Sequence, residues 1–376
     1  MTGPEGLVRA LAQAGVHRPA LVLDHDALMH NLVHLAARLP QGYARRVVDK
    51  SLPAPDLLAA AMTGLATDRV MSFHLPLTAQ VLARFAQAEV LMGKPMPAPA
   101  TAAFRRTVAG ADRVIWLADG DARLRDLAAI AAADARPLRL AFEVDIGLGR
   151  GGYATPAALA AALEQVPRAA VVEGLMGYEA HTAALPRLLG QGARAQAAAM
   201  RRLAAFVAVL PHGSRRVLNT GGSSTALTLP PGGPGNDLSV GSALLKPSDF
   251  DQPCNAALRP ALFIVTPVLK TVAHGLPGHP RLSAALRAAR LIAPRIAFGY
   301  GGKWMARPVW PEGLGDSPFY APSSNQQGWT LPRAAPTPTA IVLRPTQTEA
   351  LIPAFPGMVV MRDGAVAEVW PGFPPA

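Results

Sequence analysis

Residues 113–133 read RVIWLADGDARLRDLAAIAAA, and this stretch contains the unit on which the fold is built. A short apolar run, Arg113–Ala118, ends at Asp119, and Ala122–Ala133 then carries alanine and leucine at helical spacing. This alternation is typical of a buried parallel strand followed by a crossover helix. The stretch therefore predicts one strand–helix unit of an α/β protein, with a polar side chain where the strand ends.

The same unit recurs along the chain between Arg45 and Pro247. The predicted strands are Arg46–Lys50, Arg69–His74, Glu89–Gly93, Arg113–Ala118, Arg139–Asp145, Leu175–Glu179, Arg215–Gly222 and Asp237–Leu245. The helical stretches among them include Ala54–Met62, Thr78–Gln87, Pro156–Gln165 and Ala193–Leu210. Eight such units in about two hundred residues match the size of a (β/α)₈ barrel of the TIM type.

The composition of the chain changes after Asp251: proline and glycine become frequent, and few helices are predicted. The β-type runs there are Ala261–Ala273, Arg295–Tyr300, Thr339–Arg344, Met358–Arg362 and Ala365–Trp370. The last two meet at Asp363-Gly364, a hairpin signal. We predict a barrel over residues 25–250, and a C-terminal β-rich domain made of residues 251–376 and 1–24, which contain the run Ala20–Asp24. Residues 304–329, rich in glycine and proline, are predicted to form a long loop.

Composition narrows the class of protein. The chain has 376 residues, half of them hydrophobic, and a single cysteine, Cys254, so an intramolecular disulfide and a four-cysteine metal cage are excluded. We find no secretory signal, and no apolar run of the roughly 18 residues that span a membrane, so a cytoplasmic protein without a membrane partner is expected. The net charge of +11 comes from scattered arginines, which argues against a nucleic-acid partner and favours anionic small molecules.

Lys50 is the first candidate for chemistry, because functional groups of such barrels lie at the carboxyl ends of the strands. Only 5 of the 36 basic residues are lysines, and this one closes the first predicted barrel strand. A desolvated lysine can lose its proton and attack a carbonyl, whereas an arginine stays charged. The alternative is a lysine whose stem packs at a strand end while its amine reaches water.

Two further stretches contain residues suited to binding a phosphorylated aromatic ring. The run Asn219–Thr225, NTGGSST, together with Ser239–Ser242 after the next strand, provides amides and hydroxyls for an anion, although glycine–serine turns are also common as plain loops. The run Phe142–Gly152 ends with Arg150, which would keep a pyridine nitrogen unprotonated; otherwise Arg150 forms a surface ion pair.

In these residues the chain resembles the fold-type III pyridoxal-phosphate enzymes typified by alanine racemase, and among them the D-threonine aldolase-like group. The resemblance runs through Pro19–Asp24, the Lys50 strand, Glu143–Arg150, Gly174–His181, Asn219–Gly222 and Arg362–Pro371. It implies that Lys50 forms the internal aldimine with pyridoxal 5′-phosphate, that Arg150 faces the pyridine nitrogen, and that Tyr178 lies near the cofactor. The phosphate would be held by Thr220, Gly221, Gly222, Gly241 and Ser242. His181 is the implied acid or base.

The aldolases of this group also have a C-terminal metal site formed by a histidine and, two residues later, a cysteine or aspartate. Here Gln347 and Glu349 stand at those places. Glutamine is a poor ligand for zinc or manganese, so the site is either oxygen-rich, suiting magnesium or calcium, or has lost its metal and binds substrate instead.

The resemblance implies a small amino-acid substrate and a homodimer. Our leading prediction is retro-aldol cleavage of a D-β-hydroxy amino acid; removal of the α-proton would instead give a racemase or a dehydratase. A racemase needs a second acid–base residue, for which Tyr300 and Tyr320 are available. The other classes are a non-catalytic cofactor carrier, which the extra β domain disfavours, and a sugar-phosphate aldolase that uses Lys50 without a cofactor.

Overall fold

The computed structural model describes residues 3–134, 136–185 and 190–374. The chain divides into two compact units. One consists of Met1–Asn31, Leu245–Asp251 and Leu258–Gly372; the other consists of Leu32–Leu244, Gln252–Ala257 and Phe373–Ala376. In chain order, the first elements are helix α1 (Pro4–Gln13), strand β1 (Ala20–Asp24) and helix α2 (His25–Arg38).

The second unit is a closed barrel of eight parallel strands, which confirms the predicted fold class. Its strands are β2 (Ala44–Val48), β3 (Arg69–Ser72), β4 (Glu89–Met92), β5 (Val114–Ala118), β6 (Leu138–Glu143), β7 (Ala170–Met176), β8 (Val217–Thr220) and β9 (Asp237–Val240). The barrel closes where β9 pairs with β2, Val47 standing opposite Val240. The carboxyl ends of all eight strands therefore face one mouth.

Helices connect the other barrel strands, as the periodicity predicts, whereas β8 and β9 are joined through a 3₁₀ turn over Ala226–Thr228. The helices are α3 (Pro55–Gly64), α4 (Leu75–Arg84), α5 (Ala98–Thr107), α6 (Asp121–Asp134), α7 (Pro156–Glu164), α8 (His181–Ala184) and α9 (Gln191–Val209). Several begin with proline in the first turn, where the missing N–H costs no hydrogen bond. At α7 the Thr155 hydroxyl also accepts from the Ala158 amide, so this start is fixed by a cap.

Several of the predicted strand boundaries were wrong. The strand predicted over Asp237–Leu245 ends at Val240, where a 3₁₀ turn follows, and two other cases bear on the site. The run Leu175–Glu179 covers only the end of β7, which begins at Ala170, because Glu173 and Gly174 interrupt the apolar pattern. Glu173 is nevertheless buried, since its carboxylate accepts from Arg139 and Arg216. Lys50 lies just beyond β2, in a 3₁₀ turn over Asp49–Ser51.

The interior of the barrel is packed with side chains. Apolar residues from seven of the strands form its core: Val48, Met71, Leu91, Ile115, Leu117, Ala141, Met176 and Val217. Nearer the amino ends of the strands lies a cluster of arginines and acids that includes Arg46 and Asp237, both fully buried. Arg46 donates to both oxygens of Asp237, at 3.0 Å each. Chemistry that needs open space is therefore confined to the carboxyl-end mouth.

The first unit is built on a sheet, in which β1 pairs with β10 (Leu262–Ala273) and with β16 (Gly357–Arg362). The other elements of this unit are β11 (Arg295–Tyr300), β12 (Ala306–Trp310), β13 (Gly315–Asp316), β14 (Gln326–Leu331), β15 (Ala340–Pro345), β17 (Ala365–Pro371) and α10 (Pro280–Ala288). Helix α1 buries Leu7 and Leu11 against this sheet.

The strands β12, β13 and β14 correct the long loop predicted over Trp304–Trp329. They form because β15 pairs with β12, β11 pairs with β14, and β14 in turn pairs with β13; local glycine and proline content does not reveal these partners. The predicted turn at Asp363-Gly364 does join β16 to β17, and both of its residues have positive φ. Within the described residues, no helix is long and apolar enough to cross a membrane.

Candidate active site

Lys50 lies at the barrel mouth, half-buried, directly after β2. Its Nζ is 4.5 Å from the centre of the Phe73 ring, which follows β3. The next residue, Ser51, accepts a hydrogen bond from the Ser242 hydroxyl at 2.9 Å. A Cβ on Gly241 would come within 3.0 Å of Ser51, so the loop after β9 approaches the lysine turn as closely as glycine allows. Lys50 and the predicted phosphate residues Gly241 and Ser242 therefore share one end of the barrel.

Asp49, the residue before Lys50, is a fully buried acid that the sequence analysis did not single out. Neither carboxyl oxygen has a hydrogen bond of normal geometry from the described residues. Burial raises the pKa of this carboxyl to about 7, while the Ser72 hydroxyl, the Lys50 amide and the Lys50 charge act in the opposite direction. The mouth therefore contains a carboxyl group that titrates near neutral pH.

The turn after β8 is fastened to a second buried acid, Glu179. The Thr220 hydroxyl donates to Glu179 Oε2 at 2.6 Å, and the Gly221 amide donates to the same oxygen at 3.2 Å. The Thr225 hydroxyl donates to Glu179 Oε1 at 2.5 Å. Two of the predicted phosphate donors, Thr220 and Gly221, thus have a protein carboxylate as their partner.

Three consecutive amides of this turn remain open. The N–H groups of Gly222, Ser223 and Ser224 donate to no group in the described parts of the chain. The Ser223 hydroxyl oxygen accepts from the amides of Gly241 and Ala243, at 3.3 and 3.0 Å, which fastens this turn to the loop after β9. Open, adjacent amides of this kind form a nest for an oxyanion.

An aromatic ring and a cation flank the same turn. A Cβ on Gly222 would stand 2.7 Å from the Tyr178 ring, so the glycine lets the turn pack against this side chain. The Arg150 guanidinium carbon lies 5.6 Å from the centre of that ring, at cation–π distance. Tyr178 is half-buried and Arg150 is exposed. The predicted pair Arg150 and Tyr178 is therefore brought together next to Gly222.

His181 begins α8 beside the glycine-rich loop that follows β6. A Cβ on Gly147 would lie 3.1 Å from His181 Nε2, and His181 Nδ1 is buried without a hydrogen-bond partner among the described residues. Burial alone would raise the pKa of nearby Asp145, but the amides of Gly149 and Gly147 and the charges of Arg202 and His181 lower it. His181 thus stands close to a carboxylate, and its buried Nδ1 has no hydrogen-bond partner among the described residues.

The proposed metal residues lie in the other unit, where β15 is followed by Gln347 and Glu349. The Gln347 amide donates to Asp249 Oδ2 at 3.2 Å. Among the described residues, no group of three or more histidine, cysteine, aspartate or glutamate side chains is arranged to hold a metal ion. The metal assignment of Gln347 and Glu349 stays a prediction.

A family comparison decides which group of proteins this chain joins. The family model described as alanine racemase, N-terminal domain, matches residues 23–248, more than half of the chain. The chain belongs to this family. The resemblance that the sequence showed to the fold-type III pyridoxal-phosphate enzymes is thereby confirmed. No match was found among the curated proteins.

Solved structures with the same fold include enzymes from three activity classes. D-Threonine aldolase from Filomicrobium marinum superposes with a TM-score of 0.70 at 18% identity, over 94% of this chain and 96% of that one. D-threo-3-Hydroxyaspartate dehydratase from Delftia sp. HT23 gives 0.69 at 18%, over 94% and 97%. Alanine racemase from E. faecalis gives 0.62 at 18%, over 87% and 88%. At these identities the likeness shows the fold that this family member shares with them.

The residues of this alanine racemase-family barrel fit the group that the resemblance implies. Lys50 supplies a primary amine that can attack an aldehyde carbonyl. The three open amides at residues 222–224 form a nest for an oxyanion. The Arg150–Tyr178 pair offers a polar face to an aromatic ring. The sequence does not mark Asp49 or Glu179 as site residues. The only local signal for Glu179 is an acid between Tyr178 and His181, and that for Asp49 is an acid at the end of an apolar run.

Proposed function

We propose that this protein is a pyridoxal-phosphate-dependent enzyme acting on a D-amino acid, with the cofactor attached to the Lys50 amine. One observation supports the proposal most directly: the Lys50 amine and a turn with three open amides lie at the same barrel mouth. Ser51, next to Lys50, is hydrogen-bonded to Ser242, and the loop of Ser242 is hydrogen-bonded to that turn. We further propose retro-aldol cleavage of a D-β-hydroxy amino acid as the reaction, and a cytoplasmic homodimer as the working form.

The chain's own residues have distinct tasks in this proposal. Lys50 supplies the amine that holds the cofactor, and the amides of Gly222, Ser223 and Ser224 bind the phosphate. Arg150, positioned over Tyr178, would keep the pyridine nitrogen of the cofactor unprotonated. A guanidinium has only hydrogen-bond donors and is always charged, so the nitrogen that faces it has to act as an acceptor. His181 takes or returns a proton at a ring nitrogen. When bound, the cofactor supplies an electron sink for a bond broken at the α-carbon.

The first test concerns the attachment of the cofactor. We expect the purified protein to absorb near the visible edge, and borohydride to fix the cofactor on the peptide that contains Lys50. Lys50→Ala should abolish both signals, because no other residue replaces the attacking amine. Lys94→Ala, which removes an exposed lysine from the loop after β4, is the matched control and should retain both. A colourless wild-type protein, or an adduct on another lysine, would contradict the proposal.

The second test distinguishes the reactions. The enzyme is incubated separately with D-threonine, D-alanine and D-threo-3-hydroxyaspartate. Acetaldehyde and glycine from D-threonine support the aldolase; L-alanine from D-alanine would replace it by a racemase, and ammonia from the third substrate by a dehydratase. The absence of any product together with a normal Lys50 adduct would indicate a cofactor carrier. Light scattering of the eluting protein tests the homodimer.

A further inference from the structure

Glu179 follows Tyr178 on the loop after β7, and its side chain is completely buried. Its carboxylate accepts three hydrogen bonds from the turn that carries the open amides. They come from the hydroxyl of Thr220, the last residue of β8, from the amide of Gly221 and from the hydroxyl of Thr225. One carboxylate therefore clamps both ends of the turn. Removing such an acceptor would leave buried donors without a partner.

The directions of these bonds decide what the turn offers to a ligand. The hydroxyls of Thr220 and Thr225 each have a single proton, and both protons point to Glu179. Those hydroxyls cannot also donate to a bound anion. The amide groups of residues 222–224, which lie between the two clamped ends, are the donors that stay open.

We propose that Glu179 is the positioning residue of the phosphate turn: its carboxylate holds residues 220–225 in the conformation that keeps the Gly222–Ser224 amides open, without touching the ligand. The inference rests on the proposed function for the identity of the phosphate. Other contacts hold the rest of the turn. The Asn255 side chain donates to the Ser223 carbonyl at 3.0 Å, and the Gln252 side chain donates to the Ser224 hydroxyl at 3.2 Å. We therefore expect a substitution of Glu179 to change the direction of the three amide N–H groups while the rest of the loop stays in place.

The experiment compares two probes that differ only in the phosphate, pyridoxal 5′-phosphate and pyridoxal. Their dissociation constants are measured by absorbance titration of the full chain after the cofactor has been removed by dialysis. In Glu179→Gln, an amide NH₂ replaces one of the accepting oxygens, so at least one clamp bond is lost. We expect the affinity for the phosphorylated probe to fall by about tenfold or more, and that for pyridoxal to change less than about twofold. Glu164→Gln, the same exchange on an exposed residue of α7, is the matched control.

A second variant keeps the proposal testable if Glu179→Gln folds poorly. Thr225→Val removes one clamp bond at nearly constant volume, and it should produce a smaller loss in the same direction. In the double variant, the two losses should be less than additive, because both act on the same clamp. An equal loss for both probes, or no loss for either, would overturn the positioning role. A wild-type protein without a Lys50 adduct in the borohydride experiment would instead overturn the proposed function, so the two failures are distinguishable.

Discussion

Asp49 and Lys50 are adjacent, yet their side chains meet different surroundings. Lys50 is half-buried at the mouth, whereas Asp49 is completely buried. A carboxyl group with a pKa near 7 in the folded chain and near 3.8 in the unfolded chain binds its proton more tightly when folded. Its contribution to stability is therefore full at acidic pH and decreases as the pH rises from about 4 to about 7.

Asp49→Asn should remove this pH dependence, because the amide has no charged form to desolvate. We expect the variant to be more stable than the wild type at pH 8, by on the order of 2–4 kcal/mol, and nearly equal to it at pH 4. Thermal unfolding at both pH values measures the difference. Asp68→Asn, at an exposed acid ahead of β3, should show neither effect. Equal stabilities of wild type and Asp49→Asn at pH 8 would contradict the assignment.

At this scale, the sequence identifies residues whose type alone suggests chemistry. Lys50 is conspicuous because lysine is scarce, and Arg150 because it ends a glycine-rich acidic run. Glu179 has no such signal, since its partners Thr220 and Thr225 are 41 and 46 residues away along the chain. Only the pairing of β7 with β8 brings them together.

Among the elements, β7 depends most on a single residue. Gly174 lies opposite Val217 of β8, and a Cβ there would stand 1.7 Å from the Val217 carbonyl oxygen. Its φ of +155° accompanies a register shift between β6 and β7. The loop that carries Tyr178, Glu179 and His181 begins directly after this strand, so the glycine also determines where those side chains stand.

Gly174→Ala should separate β7 from β8, because a backbone carbonyl cannot move aside as a flexible side chain does. We expect a loss of about 3 kcal/mol or more in the free energy of unfolding, visible as a lower melting temperature or as insoluble protein. Gly213→Ala is the control: that glycine precedes β8, and its added Cβ would meet nothing within 4 Å. A Gly174→Ala protein that melts with the wild type would contradict this account.

Element prediction succeeds where the pattern is local. The barrel strands appear as short apolar runs, and helices such as α6 and α7 appear as periodic alanine and leucine. It fails where pairing decides: β14 contains Gly328 yet forms a strand because β11 supplies its partners. The start of β7 was not predicted because Glu173 is an acidic residue in the middle of the run. Its carboxylate is buried because it accepts hydrogen bonds from Arg139 and Arg216.

The molecule as a whole carries a net charge of +11. In the barrel, four arginines and three acids form one cluster of ion pairs. The arginines are Arg46, Arg69, Arg139 and Arg216, and the acids are Glu89, Glu173 and Asp237. Burial alone would raise the pKa of Glu89, but hydrogen bonds from Arg139 and Arg216 and the charges of Arg46 and Arg216 lower it to about 2. Because the acids are outnumbered, protonating one leaves arginines close together without a counter-charge.

Glu89 therefore stabilises the protein at pH values above its unfolded pKa of about 4.5, and this contribution is lost as the pH falls towards 2. We expect the free energy of unfolding to decrease by about 3 kcal/mol over that window, as followed by chemical denaturation at successive pH values. Glu89→Gln should lack this slope and be destabilised at pH 7, whereas Glu164→Gln at an exposed position should behave like the wild type. The contribution of Asp49 is lost as the pH rises above about 4, and that of Glu89 is lost as the pH falls below about 4.5, so these two groups together place the stability maximum near pH 4. A maximum well above pH 7 in the wild type, or an unchanged acid slope in Glu89→Gln, would show that other groups control the acid stability.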